Sequence, residues 1–207
     1  MSEKKNIKLL YITNQICGSG GLERVLSIKA SYLADKLNYE VHIITLNQGV
    51  NPLFYKFSKS LIYHDIIATG NPLNYFLKYR KGLKKIIRKV QPSVISVCDD
   101  GLKGFFVPII IKKPCPMVYE RHVSKNIEIK SDTPSIIQNL KSKLIFALMN
   151  YGVKKYDKFI VLTKGNLKEW NSNNLMVIPN PLSFFPKEVS TLKNKTVIAV
   201  GKHCYQK

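Results

Sequence analysis

IKLLYIT at residues 7–13, followed by GSGGLER at 18–24, decides the architecture. The first stretch is a continuous apolar run rich in strand formers, the pattern of a strand buried on both faces of a parallel sheet. The second is a glycine turn. After it, Leu22, Val25, Leu26, Ala30, Leu33 and Leu37 recur at helical spacing. A further apolar run at 41–46 completes a β-α-β unit.

The alternation continues outward. Strands are expected at 61–67, 94–97, 117–120, 159–162 and 175–178, with helices at 73–90, 102–111, 136–155 and 164–170. Strands alternating with helices give an α/β fold, a doubly wound parallel sheet whose ligands sit beyond the carboxyl ends of the strands. The chain of 207 residues, 45% hydrophobic, is long enough for one large α/β domain over 1–182. Residues 183–195 carry prolines and charges without a period and read as an interdomain linker. Residues 196–207 (TVIAVGKHCYQK) read as a buried strand and glycine turn, the expected start of a second domain that is missing.

Composition narrows the partners. Lys and Arg number 33 against 13 Asp and Glu, a formal net charge of +20, which favours nucleic acid, anionic lipid or phosphorylated sugars. The amphipathic helix at 73–90 turns Lys78, Lys81, Lys85 and Arg88 away from a stripe of Phe76, Tyr79, Leu83, Ile86, Ile87 and Val90. Such a face suits an anionic membrane or plain solvation. Four scattered cysteines form no CxxC pair, so neither a zinc site nor a disulfide framework is indicated, and a reducing cytoplasm is the simplest location. No signal peptide or run of about 18 apolar residues is present.

Three segments at strand ends carry candidate chemistry. The turn with Gly20 and Gly21 lets the backbone approach a ligand, and the helix start beside it attracts anions, with Arg24 placed to hold a carboxylate or phosphate; a plain glycine turn and a surface arginine are the competing account. Its spacing is neither GxGxxG nor a P-loop. Asp99 and Asp100 follow one strand and suit sugar hydroxyls or a helix cap. Glu120, Arg121 and His122 follow another, where a polar cluster marks a ligand site more readily than packing.

The ordered set GSGGLER, ERH at 120–122, DKFIVLT at 157–163, VIPNP at 177–181 and the terminal VIAVGKHCYQK resembles the GT-B glycosyltransferases of the group 1, or family 4, type. The resemblance implies a Rossmann-like N-terminal domain that binds acceptor, opposite a C-terminal domain that binds the nucleotide-sugar donor. It implies a retaining transferase moving a sugar to a glycan or lipid-linked acceptor, in cell-surface polysaccharide synthesis, with no cofactor and no metal. The implied site places His122 near the transferred sugar, Glu120 and Arg121 in the same pocket, Gly20 and Gly21 along the cleft, Thr163 at its strand end and Asn180 in the hinge. Gly201, Lys202 and Lys207 match the donor-diphosphate grip, although Lys202 stands where arginine is usual and lacks its bidentate fork. The chain alone is expected to be inactive, and peripheral contact with the inner face of the cytoplasmic membrane is expected. A nucleic-acid-binding module or a stand-alone nucleotide-binding domain is the alternative; no RNP, helix-turn-helix or zinc signature supports the first, and no GxGxxG the second.

Overall fold

The computed structural model describes residues 7–128 and 136–188, together with 191, 193, 196 and 197. Gly201, Lys202, Lys207 and most of the terminal strand lie outside the described residues. Seven strands, β1 (Lys8–Thr13), β2 (Glu40–Leu46), β3 (Ile62–Ile66), β4 (Val94–Cys98), β5 (Met117–Glu120), β6 (Lys158–Val161) and β7 (Leu175–Val177), form one sheet in the order 3-2-1-4-5-6-7. Every pairing is parallel. The helices are α1 (Gly21–Asp35), α2 (Pro72–Val90), α3 (Leu102–Phe105), α4 (Val107–Ile111), α5 (Ile136–Val153) and α6 (Lys164–Leu167), with a 3-10 turn at Lys125–Glu128.

The apolar run of β1 is continuous because both of its faces are covered. Successive strand side chains point to opposite faces. Leu9 and Tyr11 accordingly join Leu26, Ala30 and Ala34 of α1 in one core, while Leu10 and Ile12 join Leu83 and Ile87 of α2 and Phe105 of α3 in the other. The second core is the larger and is aromatic at its centre: the Phe105 ring stacks on Tyr119 at 4.8 Å and on Trp170 at 5.8 Å. Asp157, the first residue of DKFIVLT, accepts a hydrogen bond from the Met117 N–H at 2.7 Å and pairs with Lys113 at 2.8 Å, joining the start of β6 to β5.

Three expectations are corrected. The helix expected at 102–111 is two short helices broken at Phe106, because Pro108 lies in the first turn of α4, where its missing N–H breaks no bond. The helix expected at 164–170 stops at Leu167. Phe76, placed in the apolar stripe of α2, is 43% exposed, the buried part of the stripe being Tyr79, Leu83, Ile87 and Val90.

Candidate active site

The strand order reverses direction between β1 and β4, which pair directly from Leu9↔Val94 to Thr13↔Cys98. Loops leaving the two strands diverge there and leave a crevice. A cleft of about 480 Å³ occupies it, walled by Thr13, Asn14, Gly20, Gly21, Asp100 and His122, with Asn180 at its edge.

Gly20 caps α1 with no side-chain hydrogen bond to the helix start, so the first N–H groups of α1 keep their capacity for a ligand. Gly21 has nothing within 4 Å of where a Cβ would stand, whereas a Cβ on Gly20 would meet the Glu23 carboxylate at 2.5 Å. The turn is fastened to the loop after β2: Gln15 Nε2 donates to the Asn47 carbonyl at 2.6 Å, the Ile16 N–H to Gln48 Oε1 at 2.8 Å and the Tyr55 hydroxyl to the Ser19 carbonyl at 3.0 Å. Asp65 in turn accepts the Gln48 and Gly49 N–H groups, each at 3.0 Å, and these bonds with that from Thr45 hold its carboxyl below the usual value against a burial that raises it.

Two adjacent aspartates divide their work. Asp99 is buried and acts as a clasp, accepting from Asn14 Nδ2 at 2.9 Å and the Gly101 N–H at 2.8 Å and pairing with Lys103 at 2.5 Å. Asp100 is the one that walls the cleft, and its Oδ1 accepts the His122 N–H at 3.3 Å. Burial raises the Asp100 carboxyl, partly opposed by Arg121 and His122.

The residues after β5 form two layers. His122 lies in the cleft wall. Glu120 sits behind it, with Oε2 held by Lys29 of α1 and lying 3.6 Å from His122 Nε2, and with Oε1 accepting the Ser96 hydroxyl at 2.5 Å. Burial alone raises the Glu120 carboxyl; His122, Lys29 and Ser96 outweigh it and bring it down to about 2. Arg121 faces the other way, only 2% exposed, stacked on the Phe105 ring at 5.6 Å and donating from Nη1 to the Asp100 carbonyl. It supports the cleft from inside the core. Cys98, Glu120 and His122 bring ligand-type atoms within 4.8 Å of one another, but the Lys29 ammonium already sits on Glu120, and we assign no metal centre there.

The structure thus brings Gly20, Gly21, His122 and Asn180 together around one cleft, with Asp99, Glu120 and Arg121 behind its wall. Arg24 is exposed on the first turn of α1 and does not line the cleft. Thr163 is exposed and caps α6, its hydroxyl accepting the Asn166 N–H at 3.2 Å. Sequence reasoning missed Asn14, Ser96 and Lys29. The first follows β1 directly, so its strand-end position was a usable signal; the other two carry none.

A parallel 3-2-1-4-5-6-7 sheet with a ligand cleft at its switch point, walled by a glycine turn and a strand-end histidine, is the Rossmann-like N-terminal domain of the GT-B architecture. Residues 19–183 match the model of Glycosyltransferase Family 4, and the chain belongs to that family. Among curated proteins no sequence matches significantly. Solved structures share the fold at low identity. Sucrose-phosphate synthase from Thermosynechococcus elongatus is similar at TM-score 0.64 and 11% identity, over 83% of this chain and 48% of that one. The lipopolysaccharide outer core galactosyltransferase WaaB in its apo form gives TM-score 0.58 and 14% identity, over 86% and 46%. Anabaena Alr3699/HepE in complex with UDP and glucose gives 0.53 and 14%, over 86% and 45%. The chain spans slightly less than half the length of each.

Proposed function

We propose that this chain is the acceptor-binding half of a retaining glycosyltransferase that moves a sugar from a nucleotide-sugar donor to a glycan or lipid-linked acceptor, in cell-surface polysaccharide synthesis. The observation that carries it is the cleft itself, lined at the switch point by both His122 and the first turn of α1, whose start has no side-chain cap and whose Glu23 also lines the cleft. Cleaving a sugar–phosphate bond develops negative charge on the leaving diphosphate, and a helix N-terminus meets that charge without a metal. Lys202 and Lys207, after the strand-end Gly201, would add the cations of a second domain. UDP and glucose in the similar HepE structure support a nucleotide-sugar donor, and the lipopolysaccharide named for WaaB supports a surface glycan as product.

The charge supports a lipid-linked acceptor at the inner face of the cytoplasmic membrane. Of the 19 residues of α2, seven are Lys or Arg and none is acidic. Lys78, Lys81, Lys85 and Lys89 rim a groove of about 470 Å³ whose floor includes Ile66 and Ile86, against the edge strand β3. Among the described residues no helix is long and apolar enough to cross a membrane, so contact through this face is peripheral.

A protein in which this chain continues into a donor-binding domain should release nucleoside diphosphate from a nucleotide sugar when given such an acceptor, equally with and without EDTA. No release across a panel of nucleotide sugars and acceptors, or loss of release in EDTA, overturns the reading. The isolated chain should show no turnover, and transfer by it would refute its assignment as one half of the enzyme.

A further inference from the structure

Behind the cleft wall a row of side chains, Lys29 of α1, Glu120 of β5 and Ser96 of β4, leads to His122 in the loop after β5. We propose that Lys29 and Glu120 are positioning residues that keep the proton of the His122 imidazole on Nε2, so that Nδ1 is left as a hydrogen-bond acceptor for a ligand of the cleft. Its role in sugar transfer rests on the function proposed above; the state of the ring does not.

The argument begins with Glu120. Its carboxylate is almost wholly enclosed, yet both oxygens are engaged, Oε2 by the Lys29 ammonium and Oε1 by the Ser96 hydroxyl at 2.5 Å. Lys29 is itself held over the Tyr11 ring at 5.3 Å, so its head has a fixed position. Glu120 therefore stays an anion whose charge is balanced by Lys29, and it needs no second cation. An imidazole facing such a carboxylate keeps a proton on the near nitrogen, because the carboxylate only accepts. That nitrogen is Nε2, at 3.6 Å from Glu120 Oε2. The separation exceeds a hydrogen bond, and contacts of this kind tighten when ligand binds.

The opposite nitrogen completes the picture. His122 Nδ1 is buried and has no hydrogen-bond partner among the described residues, although the side chain is only 7% exposed. A buried polar atom without a partner is uncommon, and because His122 lines the cleft, a ligand bound there is the nearest partner open to it. The other charged and titratable groups around the ring are Asp100, which accepts its backbone N–H; Glu23 of α1, which lines the same cleft; Arg121, turned into the core; and Cys98, whose thiol is pushed well up by burial and by Glu120 and is therefore neutral. Neither Asp100 nor Cys98 donates to Nδ1. A sugar hydroxyl can.

Nitrogen-15 NMR of the histidine-labelled chain reads the ring state directly. At pH 7.5 the His122 signals should be those of the neutral Nε2–H tautomer. Lys29→Met keeps the aliphatic stem and removes the charge; Glu120 then loses its balancing cation, and the His122 midpoint should rise by roughly one pH unit or more. Glu120→Gln should populate both tautomers, and Ser96→Ala, the mildest change, should shift the midpoint upward less than Lys29→Met. A charged or Nδ1–H ring in the unmodified chain, or an unchanged midpoint in folded Lys29→Met, overturns the proposal. Should Lys29→Met fail to fold, the tautomer of the unmodified chain and the Ser96→Ala midpoint still decide it. Failure of the transfer assay with the expected ring state would instead count against the proposed function alone.

Discussion

At the scale of single residues, position along a strand proved more telling than residue type. Glu120, Arg121 and His122 were identifiable because they follow a buried strand, yet nothing in three consecutive letters says which faces the cleft. Alternation decides it: Glu120 and His122 turn to the α1 side, with His122 reaching the cleft, and Arg121 turns into the aromatic core. Lys29 was illegible for a different reason. It is one of many lysines on a helix, and its importance comes from a contact with a residue 91 positions away. Two outcomes are expected here. On the proposed function, His122→Ala in the complete protein should lower kcat by roughly 100-fold, the size of effect typical of losing one polar contact to a reacting group, measured at saturating donor. Glu120 also makes stability depend on pH. Its carboxyl is depressed from an ordinary 4.5 to about 2, so the stability it contributes is complete above 4.5 and disappears as pH falls toward 2. Thermal melts of the chain should decline across that window, and the decline should be shallower in Glu120→Gln.

At the scale of elements, the hydrophobic period carried nearly all of the fold. The run at 7–13 lacks polar alternation because β1 lies between two helical layers, and the sequence pattern says so. What periodicity cannot reveal is where two elements touch backbone to backbone. Gly152 of α5 is such a place: a Cβ there would lie 2.7 Å from the Phe105 carbonyl oxygen, which belongs to α3 and has no rotamer with which to withdraw. Gly152→Ala should destabilise the chain by about 1–3 kcal/mol despite the better helix propensity of alanine, a loss that denaturant titration will show. Gly21→Ala offers the contrast. With open space at that position, stability should change by less than about 0.5 kcal/mol, while the added methyl projects beside the helix start. Nucleotide-sugar turnover by the complete enzyme should drop in this variant without any change in its melting curve.

At the scale of the whole molecule, charge is distributed unevenly over a fold whose chemistry needs only a few cations. Seven of the 33 basic residues lie on α2, and Lys78, Lys81, Lys85 and Lys89 among them rim a groove beside the edge strand, none of them lining the cleft. Sedimentation with vesicles should show binding to anionic but not neutral bilayers, weakening sharply as salt rises from about 0.1 to about 0.5 M and the Debye length falls well below about 10 Å. Lys81→Glu with Lys85→Glu should abolish it, and equal affinity for both bilayers would count against membrane contact. One more property follows from the way α1 is built into the domain. Its head is the glycine turn and, eight residues on, about 12 Å down the same rigid rod, it carries Lys29. The helix whose N-terminus lines the cleft thus also carries the ammonium that holds Glu120, so the two walls of the site share one rigid support.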